Sequence, residues 1–187
     1  HLYAGLVPLL TDVMFSGEEQ AQVHAAVGLG HFGEGLTEDI ERTLLDSGTI
    51  LALVSAASSE NDVLKKAACT SLSTLIKGSR GCCRAASEAG ILPTAVEALK
   101  TSDPKLCEQC LSNLEYVLVD EKAQDEFCAN SGLDVLTEIC IRSPTAKDEA
   151  MNILVELAAT GRCARDLLNM PELLRFMSSK DVRMRCK

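Results

Sequence analysis

Three glycines near the N-terminus have a spacing that could hold a phosphate. The stretch "AAVGLGHFGEG" contains Gly28-x-Gly30-x-x-Gly33, which is the pattern of the loop that binds the pyrophosphate of a dinucleotide. That chemistry requires the glycines to follow a strand and to open a helix, because the N-terminal end of the helix holds the phosphate. The meaning of the spacing therefore depends on the element in which the glycines lie.

Cysteine is the other residue type whose number suggests chemistry. The chain has nine cysteines, of which Cys107-x-x-Cys110 forms one CxxC pair. A zinc site needs about four ligands in tetrahedral reach, and one such pair supplies two. The odd cysteine count and the length of the chain also argue against a disulfide framework. We therefore expect no metal and no other cofactor, with reduced cysteines that act as small apolar core residues.

Catalytic patterns are missing from the sequence. The histidines are His1, His24 and His31, and none belongs to an HExxH motif. The chain also lacks a P-loop and the GxSxG turn of the α/β-hydrolases. We therefore expect a protein that is not an enzyme.

Composition narrows the classes of partner. The 187 residues carry a net charge of −9, no Trp and 3% aromatic residues. Binding to nucleic acid requires a basic footprint and stacking platforms, so we expect no nucleic-acid partner. No apolar run reaches the roughly 18 residues of a membrane span, and no signal peptide is evident. These features predict no membrane association and a cytoplasmic location, with the nucleus as the alternative.

A repeat of about 42 residues organises the chain. Similar short stretches contain Gly5, Gly48, Gly90 and Gly132, at intervals of 43, 42 and 42 residues. Apolar residues with helical spacing follow each glycine. We expect each glycine to end a short first helix in the left-handed conformation, just before a second helix begins.

A third helix follows a polar break in each copy. It carries a small residue, an apolar residue four positions later and another three beyond, which places all three on one helix face. The four triplets are Ala25/Leu29/Phe32, Ala68/Leu72/Leu75, Cys110/Leu114/Val117 and Ala150/Leu154/Leu157. Because one unit cannot bury its own apolar face, the copies must stack into a solenoid.

The boundaries of the units follow from this register. First helices are predicted at 37–45, 82–88, 123–129 and 163–168. The predicted repeats are 1–33, 34–77, 78–119 and 120–160, with a partial repeat at 161–187. Because both ends of the chain fall inside a repeat, we expect a single array that is a fragment of a longer one. The predicted fold class is an all-α solenoid of about four three-helix repeats.

The pattern resembles the armadillo repeat. The stretch "SEAGILPTAVEALKTSDPKLCEQCLSNLEYVL" is similar to the family pattern of a short helix, a G-a-I-P opening and a third helix ending in A-x-x-x-L-x-x-L. The HEAT repeat is the related alternative. The resemblance implies a right-handed superhelix whose third helices line a concave groove, and a function as a protein-interaction scaffold that binds a protein segment there.

The resemblance also implies which side chains face the groove. These are the positions two and six residues beyond the small residue of each triplet: Val27, His31, Thr70, Thr74, Ser112, Tyr116, Asn152 and Glu156. In nuclear-import adaptors of this fold, Trp and Asn ladders occupy these positions. This sequence has no Trp, and no Asn at a sixth position, so it lacks their grip on a basic peptide. Tyr116 is the expected anchor.

A second, local resemblance concerns the glycine stretch itself. "VHAAVGLGHFG" at 23–33 is similar to the V-R-A-L-V-G-L-C-K-L-G stretch of UCS-type myosin chaperones, with His24 in place of Arg and His31 in place of Lys. This resemblance implies a co-chaperone that holds the myosin motor domain. A structural spacer within a larger repeat protein is the remaining alternative.

The repeat register answers the phosphate question. Ala25, Leu29 and Phe32 form a triplet, so Gly28 and Gly30 lie inside a third helix and Gly33 lies near its C-terminal end. The helix dipole there has the wrong sign for a phosphate. We therefore predict no nucleotide binding. The repeat register does not decide whether Gly28 and Gly30 face a packed neighbouring helix or the groove.

Overall fold

The described part of the chain is built from helices. The computed structural model describes residues 5–101 and 103–160, and this part contains no strand. None of its helices combines the length and the apolar character needed to cross a membrane. The elements are α1 (Leu6–Ser16), α2 (Glu19–His31), the 3-10 helix η1 (Phe32–Gly35), α3 (Glu38–Asp46), α4 (Thr49–Ala57), α5 (Asp62–Gly78), α6 (Arg80–Glu88), α7 (Ile91–Leu99), α8 (Pro104–Val117), α9 (Glu121–Ala129), α10 (Gly132–Arg142) and α11 (Lys147–Ala159).

The helices recur in the predicted order. The first helices α3, α6 and α9 lie within two residues of the ranges 37–45, 82–88 and 123–129. The second helices are α1, α4, α7 and α10, and the third helices are α2, α5, α8 and α11. The fourth predicted first helix, at 163–168, and the partial repeat 161–187 lie outside the described residues. The division of the chain at the stated repeat boundaries stays a prediction.

Equivalent helices pack against one another. The second helices contact in the series α1, α4, α7, α10, and the third helices in the series α2, α5, α8, α11. Each group therefore buries its apolar side against the next group along the chain, which is the arrangement of a repeat solenoid. The prediction of an all-α repeat solenoid is confirmed.

The third-helix triplets form much of the core. Eleven of the twelve triplet residues are buried, and Leu29, Ala68, Leu75 and Ala150 are fully inaccessible. Phe32 is the exception and is only half-buried. It differs because α2 ends at His31 and the chain tightens into η1, which rotates Phe32 away from the row formed by the other triplets.

The left-handed residues at the starts of the second helices follow the repeat with one exception. Gly48 and Gly90 have φ of 72° and 84°, as the repeat predicts. In the fourth copy Ser131 is the left-handed residue, with φ of 62°, and Gly132 is the first residue of α10. Gly5 is not left-handed either, with φ of −71°. The aligned glycines at 5 and 132 thus do not share one conformation with the other two.

Gly132 has a separate structural role. A Cβ atom at this position would lie 2.4–2.6 Å from three ring carbons of Phe127. Phe127 is fully buried in α9. The glycine therefore allows the first helix of this repeat to approach the start of its second helix.

Polar contacts between residues 37 to 43 positions apart join neighbouring repeats. The Asn61 amide nitrogen donates to a Glu19 carboxylate oxygen at 2.8 Å, and the Asn61 oxygen accepts from the first amides of α5. Lys66 forms an ion pair with Asp103, which caps α8. Arg142 donates to the backbone carbonyls of Leu99 and Lys100 at the end of α7.

Candidate protein-binding groove

The exposed side chains of α2, α5, α8 and α11 form one surface, which we call the third-helix face. The four helices contact in series, so positions at equivalent heights on neighbouring helices lie side by side. On α5, apart from the terminal residues Asp62 and Gly78, the exposed positions are Val63, Lys66, Thr70 and Lys77, which helical periodicity places on one side. The triplet residues occupy the opposite side of the same helix and are buried.

The predicted groove residues all reach this surface. Val27, His31, Thr70, Tyr116, Asn152 and Glu156 are exposed, and Thr74 and Ser112 are half-buried. The exposed fractions of Val27 and Tyr116 are 46% and 41%, which is high for apolar and aromatic side chains. Their assignment as the residues that bind a partner stays a prediction.

Thr74 has a structural contact in addition to its exposure. Its hydroxyl lies 3.0 Å from the carbonyl oxygen of Gly30 and 2.9 Å from that of Ser71. The Ser71 hydroxyl lies 2.7 Å from the carbonyl oxygen of Ala26. Side-chain hydroxyls of α5 therefore donate to the backbone of α2.

These contacts determine where the glycines point. A Cβ at Gly30 would lie 2.6 Å from the Ser71 Oγ and 3.1 Å from the Ser71 Cα, and a Cβ at Gly33 would lie 2.8 Å from the backbone of Thr74. Both glycines therefore face α5, not the groove. A Cβ at Gly28 would meet a Leu10 methyl group of α1 at 3.3 Å.

The glycine stretch is thus a packing feature. Gly28 and Gly30 lie within α2, and Gly33 lies in the 3-10 helix that follows it. No strand precedes them in the described residues, and the glycine backbone is covered by neighbouring helices. The site that a pyrophosphate would need is not formed by these three residues.

A second polar contact joins α5 to α8. The Ser73 hydroxyl donates to the side-chain oxygen of Asn113 at 2.7 Å. Asn113 is buried, with 3% exposure. It lies three residues after Cys110, whereas a groove position would lie two or six residues after it. This asparagine therefore joins two third helices and does not face the groove.

Tyr116 lies at the junction of three helices. Its ring centroid is 5.9 Å from the Lys77 ammonium of α5, which is within the range of a cation–π interaction. The Cys83 thiol of α6 donates to its backbone carbonyl at 3.3 Å. The backbone of Tyr116 is therefore fixed by α6, while its ring remains open to solvent and to a cation.

Three glutamates lie on the α8 and α11 part of the third-helix face: Glu108, Glu115 and Glu149. Burial raises the pKa of Glu149, and the negative charges of Glu115 and Glu108 raise it further, while Lys77 opposes the shift. The Glu149 Oε2 is buried and has no hydrogen-bond partner among the residues that the structure describes. Glu149 thus interacts electrostatically with Glu115 and Glu108 of α8 and with Lys77 of α5.

Several residues of this face lie outside the predicted set. Val63 and Val155 are exposed by 63% and 61%, and Glu108, Glu115 and Glu149 form the carboxylate group. None of them lies two or six residues beyond the small residue of its triplet, which are the positions used for the prediction. Extending the 3.6-residue spacing along the whole length of each third helix would have identified them.

Five of the seven cysteines that the structure describes are buried. Cys107 and Cys110 are buried in α8, and hydrogen bonding with the Cys69 thiol and burial raise the pKa of Cys110 well above its usual range. In the described part of the chain, no group of three or more His, Cys, Asp or Glu side chains is placed to hold a metal ion. Six of the cysteines in residues 5–101 and 103–160 are free thiols. Cys128 is disulfide-bonded, which corrects the expectation of reduced cysteines at that position.

Comparison with known proteins supports the architecture. No protein-family model matches the chain, and no curated protein matches it. A crystal structure of an engineered protein is similar over 97% of this chain and 75% of its own, with a TM-score of 0.80 and 20% sequence identity. A designed armadillo repeat protein is similar over 90% of this chain and 77% of its own, with a TM-score of 0.69 and 16% identity.

A natural protein shares the same architecture. ARO, an armadillo-repeats-only protein from Plasmodium falciparum, is similar over 73% of this chain and 61% of its own, with a TM-score of 0.66 and 19% identity. Another designed armadillo repeat protein in this group was solved in complex with the peptide (KR)4. At these identities the likeness concerns the fold.

Proposed function

From the premise that this chain has an armadillo-like solenoid fold, we propose that it is a protein-interaction scaffold that binds a protein segment on its third-helix face. The observation that carries the proposal is the presence of exposed apolar and hydrogen-bonding side chains on all four adjacent third helices. Solvent-exposed Val27, Val63, Tyr116 and Val155 are distributed over α2, α5, α8 and α11, so a bound segment can contact each helix.

The chemistry of these side chains suits an extended segment. A segment without its own secondary structure has backbone amides and carbonyls that need partners. Thr70, Ser112 and Asn152 offer hydroxyl and amide groups at equivalent heights on three helices. Tyr116 offers a large apolar surface at low entropic cost, which is the usual chemistry of an interface hot spot.

The structural neighbours support the proposal by analogy. One designed armadillo structure is described as made for modular peptide recognition, and another is in complex with the peptide (KR)4. Fold alone does not determine function, so the proposal for this chain depends on its own exposed side chains.

Selection from a displayed peptide library tests this function. We expect one or more linear segments to bind, and expect Tyr116→Ala and Asn152→Ala each to weaken that binding about tenfold, or about 1.4 kcal/mol. The control is Leu51→Ala, which removes an apolar side chain of 54% exposure from α4. If no segment binds, or if the three variants weaken binding equally, the assignment to the third-helix face is wrong.

We do not extend the proposal to myosin. The stretch at 23–33 that resembles UCS-type chaperones includes Gly30 and Gly33, whose role in this structure is close packing against α5. The resemblance stays a prediction, as does the role of a structural spacer. A failed peptide selection would favour the spacer.

A further inference from the structure

We propose that the half of the third-helix face over α8 and α11 selects segments that carry lysine or arginine, and that Lys77 occupies the cation position when no segment is bound. This inference rests on the proposed function and names the chemistry of the partner. The bound side chain would place its charge beside Tyr116 and displace the Lys77 ammonium.

The first argument is the unequal distribution of charge along the face. Over α8 and α11 the exposed or half-buried ionisable side chains are the acids Glu108, Glu115, Asp148, Glu149 and Glu156 and the lysines Lys105 and Lys147. Over α2 and α5 they are the acids Glu19 and Asp62, the lysines Lys65, Lys66 and Lys77 and the histidines His24 and His31. A segment that crosses all four helices therefore passes from a neutral-to-basic region to an acidic one, and charge complementarity places its cations over α8 and α11.

The second argument is that one cation already lies there. The Lys77 ammonium is 5.9 Å from the Tyr116 ring centroid and is close enough to Glu149 to lower that group's pKa. Lys77 is itself exposed and lies in the last turn of α5. The side chain can therefore swing into solvent without disturbing the core, which leaves the ring and the carboxylates free for another cation.

The third argument is the state of Glu149. Its Oε2 atom is buried without a hydrogen-bond partner in the described part of the chain, and burial, followed by the charges of Glu115 and Glu108, raises the pKa of this group. An ammonium or guanidinium group between these helices would supply a donor to the buried oxygen and reduce the repulsion among the three carboxylates.

Binding of a fluorescein-labelled (KR)4 peptide, followed by anisotropy at about 0.15 M salt, tests the inference. The first variant is the triple E108Q/E115Q/E149Q. Its control is the triple E88Q/E126Q/E138Q, which removes the same charge from exposed positions of α6, α9 and α10. We expect the first triple to weaken binding at least tenfold and the control less than threefold. Equal weakening by both would show attraction to the net acidic chain alone and would overturn the proposal.

Lys77 is tested by the matched substitutions K77M and K122M. Each removes one positive charge from an exposed helical position, so each increases the general attraction for a basic peptide equally. We expect K77M to tighten (KR)4 binding about threefold beyond K122M, since only K77M empties the position beside Tyr116. If K77M binds no tighter than K122M, Lys77 does not compete with the ligand.

The two levels of proposal fail in different ways. If an uncharged library segment depends on Tyr116 and Asn152 while (KR)4 binds all variants equally, the scaffold function stands and the preference for cations is wrong. If no segment of either kind depends on the third-helix face, both proposals are wrong.

Discussion

Ser131 occupies a backbone conformation that favours glycine. Its φ of 62° and ψ of 26° lie in the left-handed region, which costs a residue with a side chain about 1 kcal/mol. The next residue is Gly132, whose missing side chain makes room for the Phe127 ring. One copy of the repeat thus requires a small residue at two successive positions for two different reasons.

Substitutions at this pair test the assignment. We expect Ser131→Gly to stabilise the protein by about 1 kcal/mol, because glycine reaches the left-handed region without strain. We expect Gly132→Ala to destabilise it by about 1–3 kcal/mol, because the new Cβ would overlap the buried Phe127 ring. Urea unfolding measures both. A Ser131→Gly variant no more stable than the wild type would show that position 131 is not the left-handed residue that ends the preceding helix.

Glu149 gives the stability of the protein a dependence on pH. Burial and then the charges of Glu115 and Glu108 raise its pKa in the folded state. The folded state therefore binds the proton more tightly than the unfolded state does. The stabilisation from the protonated form is present below the ordinary glutamate pKa and is lost as the pH rises through the raised pKa.

A glutamine at this position should remove that dependence. We expect Glu149→Gln to have a higher urea midpoint than the wild type at about pH 7, with the difference vanishing near about pH 4. Glu88→Gln on the exposed surface of α6 is the control, and we expect its midpoint to follow the wild type. A Glu149→Gln effect of the same size at both pH values would contradict the linkage.

At the scale of the elements, packing explains why α2 contains two glycines. Gly30 lies against Ser71 of α5, and Gly28 lies against the flexible end of Leu10 of α1. A Cβ at position 30 would lie 2.6 Å from the Ser71 Oγ, which is held by its hydrogen bond to Ala26, and 3.1 Å from the Ser71 Cα, whereas a Cβ at position 28 would meet a methyl group that can rotate. The two glycines therefore differ in what a side chain would cost.

This difference predicts opposite outcomes for one substitution at two positions in one helix. We expect Gly30→Ala to destabilise the protein by about 1–3 kcal/mol through overpacking. We expect Gly28→Ala to be neutral or to stabilise by up to about 1 kcal/mol, because alanine is the better helix former. Thermal and urea unfolding measure both. Equal destabilisation would mean that α1 is as rigid a neighbour as α5.

The sequence predicted the helices well, for a physical reason. The triplets such as Ala68/Leu72/Leu75 recur because every copy buries the same side of its third helix, so periodicity alone locates them. The periodicity placed Phe32 in the core, where the structure has it half-buried. An α-helical spacing assumes 3.6 residues per turn, whereas the chain changes after His31 to a 3-10 helix with about 3.0 residues per turn, which turns Phe32 away from the buried row. The sequence misassigned Gly132, because a repeat alignment compares residue types and does not report which of two neighbours adopts the left-handed conformation.

The surface was less predictable than the core. The second and sixth positions located Tyr116 and Asn152 on the exposed face, but the carboxylates at Glu108, Glu115 and Glu149 belong to different heights on two helices. Their proximity depends on how far α11 is displaced along α8. The spacing of residues within one helix does not predict the displacement between two packed helices.

At the scale of the whole molecule, stacking limits each repeat to contacts with its neighbours. Among the described residues the main contacts between third helices run in series, from α2 to α5, from α5 to α8 and from α8 to α11. Stability in such an array is a sum of local terms. A defect should therefore loosen its own interface before it loosens distant ones.

Hydrogen exchange measures this locality. We expect Gly30→Ala to increase the amide exchange rates in α2 and α5, because the defect lies between them, while rates in α10 and α11 stay close to those of the wild type. The control is Gly132→Ala, for which we expect the reverse distribution. A uniform increase along the whole chain for both variants would indicate a single cooperative unit.

The hydroxyl contacts between α5 and α2 also bear on how this protein could acquire new partners. Ser71 and Thr74 contact the Ala26 and Gly30 carbonyl oxygens of α2, and these atoms are present whatever side chains α2 carries. The exposed side chains of Val27 and His31 are thus not required for stacking. Natural variation or directed evolution can therefore change the exposed side chains of α2, and with them its binding specificity, without removing the hydrogen bonds that hold α2 against α5.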